Sequence, residues 1–134
     1  VVAMSWVEVF VGFVVAHLVG DYLVQTDWQA RNKFRGLSSD PVARRALGTH
    51  VLTYTLSFVP VFVWIGDRLS VGWAVLAALL VGLPHLLIDD GRPVRAYLHR
   101  VKGVEEIDRG LAGSVDQTLH VVCLWALAML IGAV

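Results

Sequence analysis

Three pairs of ionisable residues stand four positions apart: His17 and Asp21, His85 and Asp89, and, in reverse order, Asp116 and His120. On a helix, positions i and i+4 share one face, so both side chains of a pair reach the same point. A further histidine, His50, has Tyr54 one turn beyond it. Imidazole and carboxylate form the natural ligand set for zinc, iron or manganese. His17, Asp21, His50, His85, Asp89, Asp116 and His120 are therefore the candidate ligands, more than one tetrahedral site needs. Either two divalent ions bind, or one binds and the remaining carboxylates orient imidazoles. A metal with an open position lowers the pKa of bound water to about 7 and makes a nucleophile. Gln25, Lys33, Tyr54, Arg92 and Gln117 are expected to hydrogen-bond the ligands or to meet a substrate. Lys33, Arg92 and Arg95 would then face phosphates, making a lipid or phosphoester the expected substrate class.

The elements that must position these groups are membrane helices. The chain has 134 residues, 57% of them apolar and 16% charged, with mean hydropathy +0.67. A membrane-spanning helix needs about 20 predominantly apolar residues. Four stretches qualify: Met4–Val24, Ala46–Ile65, Leu69–Ile88 and Leu111–Ala133. The expected fold is an all-α membrane protein, a four-helix up-down bundle forming one domain over residues 1–134. An ionisable residue at the centre of such a helix costs about 2.5–3.5 kcal/mol on insertion scales, so each pair is a functional hypothesis by default. The first stretch lacks a basic leader and a small-residue cleavage site and carries His17 and Asp21, which argues against a signal peptide. The chain opens with valine, and Met4 is expected to lie nearer the natural start.

Formal net charge is zero, yet the eleven Lys and Arg residues are unevenly placed. Arg31, Lys33, Arg35, Arg44 and Arg45 precede the second stretch, and Arg92, Arg95, Arg100, Lys102 and Arg109 precede the fourth. Only Arg68 falls in the second-to-third connection. The positive-inside rule then puts both long loops in the cytoplasm and both termini outside. Stretches one and three run inward with histidine before aspartate; stretch four runs outward with the order reversed. In all three the histidine is expected one turn deeper than the aspartate, so four histidines and three aspartates fall in one layer near the cytoplasmic end. Ala16–Asp21 and Pro84–Asp89 agree at three of six positions, a weak internal repeat.

Local signals complete the expectation. Asp40 or Ser39 caps a helix with Pro41 at its first turn. Pro60 kinks the second stretch, and Gly66-Asp67-Arg68 forms the tight turn after it. Pro93–Val104 has apolar residues at helical spacing among basic ones, which predicts a short amphipathic helix on the inner leaflet. Glu8 and His99 are expected in solvent, and the single Cys123 as apolar packing. No Gly-rich phosphate loop, nucleophile–base pair or zinc-finger spacing is present.

Asp21, Gln25, Ala30 and Lys33 after His17, then His50, His85/Asp89 and Asp116-Gln117 with His120, resemble a small bacterial and phage membrane-protein family. It is catalogued as domain of unknown function 3307. Arg92 departs from it, standing where lysine is typical. The resemblance implies a multi-pass protein of the bacterial inner membrane and brings no activity. A looser likeness links the His-xxx-Asp pairs to bacterial membrane proteins labelled metal-dependent hydrolases. Three functions compete: a metal-dependent hydrolase, a bis-histidine haem protein, and a non-enzymatic ion or proton conduit or accessory subunit. Structural ion pairing without metal is the plainest account of the pairs. Membrane lipids are the expected partners, nucleic acid is not, and an oligomer is compatible with the sequence.

Overall fold

The computed structural model describes residues 4–134. The first span is α1, Trp6–Leu18, continued by a π-helical turn, Val19–Val24. A short α2, Asp27–Asn32, opens with a capping box in which Thr26 and Gln29 satisfy each other's backbone N–H groups. Then follow α3, Pro41–Ser57, and α4, Val59–Arg68. Asp40 caps α3 as expected, accepting from the Val42 and Ala43 N–H groups. α3 and α4 meet at a 48° bend. The cause is Pro60, which lacks an N–H and sits in the first turn after the break.

The reversal expected at Gly66–Arg68 falls two residues later. α4 continues helical through Arg68, and the chain turns at Leu69-Ser70, where the Ser70 hydroxyl caps α5, Val71–Asp89. Gly66 lies within α4, where a methyl would make an ordinary contact with Ala74 at 3.4 Å. After α5 come α6, Arg92–Arg100, and α7, Arg109–Ile131, the latter capped by Asp108.

Trp6–Val24, Val71–Asp89 and Arg109–Ile131 are each long and apolar enough to cross a bilayer, and the bent α3–α4 pair passes the same test together. Their outward faces are apolar: Val7, Val11, Val15 and Leu18 on the first span, and Val75, Leu79, Leu83 and Leu87 on α5, are all exposed. A patch of that extent has no place in water and fits lipid. α1 packs on α7, α5 on α3, α4 and α7, and α3 on the π turn and α2.

Two apolar clusters bracket a polar layer. The larger holds Val9, Phe13, Phe58, Phe62, Ile65, Leu127 and Ile131; the smaller holds Ile88, Val94 and Leu98. Along α5 the order is Ala77 and Val81, then His85, then Ile88, so the histidines lie between the two. The basic amphipathic helix exists, but its apolar stripe is divided. Val94 and Leu98 are buried against Leu111, Val115 and Leu119 of α7, while Tyr97 and Val101 stay exposed. The protein offers that stripe an apolar partner of its own, so only its outer edge is left for a bilayer.

The π turn widens the helix at Gly20 and Asp21, and the missing Cβ there admits Tyr54. A methyl at Gly20 would stand 2.7 Å from the Tyr54 ring and 3.3 Å from its Cα. Gly20→Ala is expected to lower stability by about 1–3 kcal/mol, the usual cost of overpacking a tight site. Thermal unfolding in detergent beside Gly48→Ala, where a methyl meets nothing within 4 Å, would show it; equal melting of the two variants would contradict the packing account.

Candidate metal centre

Each polar residue of the layer arrives on a different element for a local reason. His17 ends α1, and the π turn then carries Asp21 inward beside it, Nδ1 to Oδ2 at 3.6 Å. π turns inserted in helices recur at functional sites because they re-aim side chains in this way. His50 comes from α3, His85 and Asp89 from successive turns of α5, and Asp116 and His120 from successive turns of α7. His17, His50, His85 and His120 are all fully buried. Their rings adjoin: centroids are 5.0 Å apart for His50 and His85, 4.5 Å for His85 and His120, and 5.4 Å for His17 and His120. The four imidazoles, carried by α1, α3, α5 and α7, lie together.

Asp21, His50, His85 and Asp89 form one group, and Asp89, Asp116 and His120 a second; within each, potential ligand atoms lie within 4.8 Å of one another. In the first group His50 Nε2 is 2.9 Å from Asp89 Oδ2, 3.3 Å from Asp21 Oδ1 and 3.0 Å from His85 Nε2. His85 Nε2 is 3.1 Å from Asp89 Oδ2 and 3.8 Å from Asp21 Oδ1. Donors at 2.0–2.1 Å around a tetrahedral zinc are about 3.3 Å apart. These separations bracket that value.

In the second group, His120 Nδ1 faces the Asp116 carbonyl at 2.9 Å, which makes it the protonated nitrogen and leaves a lone pair on Nε2. That Nε2 has no hydrogen-bond partner and stands 3.7 Å from Asp89 Oδ1, which has none either. Asp21 Oδ1 is unpartnered as well. Buried polar atoms left without partners cost stability and call for an explanation. The Nδ1 atoms of His50 and His85, also unpartnered, lie on the other side of their rings from the Nε2 contacts. Asp21 Oδ1 belongs to the first group and Asp89 Oδ1 and His120 Nε2 to the second, and each group could hold a metal ion. Asp89 supplies one oxygen to each.

His17 is joined differently. Its Nδ1 meets the Tyr54 hydroxyl at 2.9 Å and its Nε2 meets Gln117 Oε1 at 3.0 Å, so both nitrogens are engaged and it belongs to neither group. Tyr54 also stacks on His85 with ring centroids 3.4 Å apart. Gln117 donates to Asp21 Oδ2 at 3.2 Å and to Asp116 Oδ2 at 3.3 Å, tying the two groups together. Lys33 donates to Asp89 Oδ2 at 2.7 Å. Gln25 is half-buried and its amide nitrogen is unpartnered.

Arg92 is the exception among the expected contacts. Its guanidinium pairs with Asp90, and Gly91, at φ +77°, stands between the two where α5 ends and α6 begins. Asp90 itself was not singled out by spacing. It is buried, accepts from the Leu37 N–H at 2.8 Å, and its carbonyl accepts from the Arg35 N–H at 2.9 Å. Burial pushes the Asp90 carboxyl upward, but the Arg92 and Leu37 donors outweigh it and hold the carboxyl below its ordinary value. The loop that presents Lys33 is thus stapled to the end of α5. Gln29 is a second omission: buried, it donates to Thr49 of α3 and fixes α2.

Residues 9–134 match the profile of a family described as a protein of unknown function (DUF3307). The chain belongs to that family. No curated protein and no solved structure matches it. What this DUF3307 member does must therefore be argued from its own residues.

Asp90→Ala leaves the Leu37 N–H without its acceptor, a loss of about 1–3 kcal/mol. Faster hydrogen exchange at Gly36–Ser38, with histidine-layer amides unchanged, is the expected signature. Uniform acceleration across α5 and α7 would mean that Asp90 supports more than this loop.

Proposed function

We propose that this chain is a membrane-embedded metal protein that uses a metal-activated water to hydrolyse an ester at the cytoplasmic surface of a bacterial inner membrane. The observation that carries the metal reading is the fit between the first group's donor separations and a tetrahedral ion, with Asp21 Oδ1 in that group buried and unpartnered. The four-span topology joins α3 and α4 as one bent span. Its sidedness rests on the basic residues of the two long connections, which puts both termini outside.

The two groups divide the work. Asp21, His50, His85 and Asp89 surround one point completely, as in structural sites. Asp89, Asp116 and His120 supply three ligands, the number that leaves a catalytic ion an open position. Zinc, iron or manganese suits both donor sets. When bound, such an ion polarises the substrate and brings the pKa of a coordinated water near 7. The chain's own residues do the rest. Gln117 orients Asp21 and Asp116, Tyr54 holds His17 and covers His85, and Lys33 balances the Asp89 charge.

Geometry disfavours the alternatives. Two imidazole nitrogens 3.0 Å apart leave no slab for a porphyrin between His50 and His85. A proton or ion conduit needs polar groups through the whole span. Here Phe13, Phe58, Phe62, Ile65, Leu127 and Ile131 fill the bundle beyond Tyr54.

Elemental analysis of the detergent-purified protein is expected to give one or two transition-metal ions per chain. Asp89→Asn should remove nearly all of it, and Gln117→Ala should weaken binding about 10–100-fold. His17→Ala should keep the stoichiometry, since both its nitrogens are spent on Tyr54 and Gln117. Wild-type protein that neither copurifies with nor takes up metal would refute the reading and leave ion pairing as the role of the layer.

A further inference from the structure

Beside the second ligand group is an open cavity of about 350 Å³. Asp89 and Asp116 contribute its acidic groups, and Lys33, Arg95 and Arg109 its basic ones. From α7 it takes Arg109, Ala112, Gly113 and Asp116, spaced as one helix face. Between the arginine and the aspartate that face carries only a methyl and a hydrogen, and nothing lies within 4 Å of where a Gly113 Cβ would be. The space is kept open by residue choice.

The arginine opposite is held in place. The Arg95 guanidinium lies 4.8 Å from the centre of the Phe34 ring. Phe34 in turn rests on Gly91, where a Cβ would come within 2.6 Å of it. Neither Arg95 nor Arg109 takes part in an ion pair among the described residues, whereas Arg31, Lys33 and Arg92 all do. Two uncommitted guanidinium groups therefore flank a cavity lined by Asp89 and Asp116, the two carboxylates of the second ligand group.

We infer that this cavity is the subsite for a phosphate group on the substrate, recognised by Arg95 and Arg109 above a metal held by Asp89, Asp116 and His120. The inference rests on the metal reading above and narrows its substrate class. Bare carboxylates would repel an anion, so phosphate binds only once a divalent cation has reversed the local charge. A tetrahedral phosphate can accept from the two arginines on separate oxygens and still present a third to the metal; a carboxylate would have to share one oxygen between two of these partners. The shared chemistry is a phosphate ester, carried by a lipid headgroup or by a soluble molecule.

The test uses the full chain in detergent, loaded with Mn(II), freed of excess ion and assayed for metal content. Inorganic phosphate is the probe, followed by ³¹P relaxation. Binding is expected in the loaded protein and absent after chelation. The double variant R95Q/R109Q should weaken it at least about tenfold, the scale of losing one charge-assisted contact, with metal content unchanged. R100Q, a basic residue of α6 outside the cavity, should bind as wild type. In nanodiscs, competition by phosphatidic acid over phosphatidylcholine would assign the phosphate to a lipid, and competition by glycerol 3-phosphate alone would assign it to a soluble ester. Loaded protein that binds no phosphate, or binds it equally well in R95Q/R109Q, overturns the inference while leaving the metal centre standing. Failure to load metal overturns both.

Discussion

The structure turns on the Asp89 carboxylate, buried between apolar helices at the end of α5 and shared between two groups of candidate ligands. An isolated carboxylate in such surroundings costs several kcal/mol even after relaxation. Asp21 adds a second buried carboxylate in the same layer. Against these two the chain places one fixed cation, the Lys33 ammonium. The charge deficit is local, and the four imidazoles around it carry no fixed positive charge. A divalent cation offsets it directly, with His50 Nε2 and His85 Nε2 only 3.0 Å apart beside it.

Most of the remaining architecture serves that layer. The π turn re-aims Asp21, and Gly20 lets Tyr54 close over the histidines. The large aromatic cluster beyond Tyr54 seals the layer from the far side of the bundle. On the near side, α6 buries Val94 and Leu98 and leaves a polar opening beside them. The Asp90 staple fixes the loop from which Lys33 reaches in. Rigid helices carry the ligands, and a braced loop carries the balancing charge, a division that favours a preorganised centre.

The helices and the convergence of their histidines were legible because both depend on period. Hydropathy over about 20 residues marks a span, and spacing of four marks a shared face, whatever the tertiary detail. What could not be read depends on contacts between distant positions. His17 has the same pattern as His85, yet Tyr54 and Gln117 occupy its nitrogens, and no local spacing announces partners 37 and 100 residues away. Arg92 was placed near the site by its nearness in sequence to Asp89, yet it pairs with Asp90 across Gly91, where the chain turns at a positive φ. A glycine between two charged residues was the available sign of that turn. Arg109 went unremarked as one basic loop residue among several, though Gly113 and Asp116 at helical spacing below it marked a face with an opening. Gly66 reads in the sequence as a breaker, yet α4 continues through it to Arg68, and the turn comes after.

X-ray absorption at the metal edge of the purified, loaded protein tests the central claim most directly. Convergent ligands from separate helices predict a shell of nitrogen and oxygen donors at about 2.0–2.1 Å for zinc, with the outer-shell scattering of at least two imidazoles. That signal should fall in the double variant His50→Ala/His85→Ala to no more than the single imidazole of His120. A shell of oxygen alone, unchanged in the variant, would place the ion elsewhere and contradict the account.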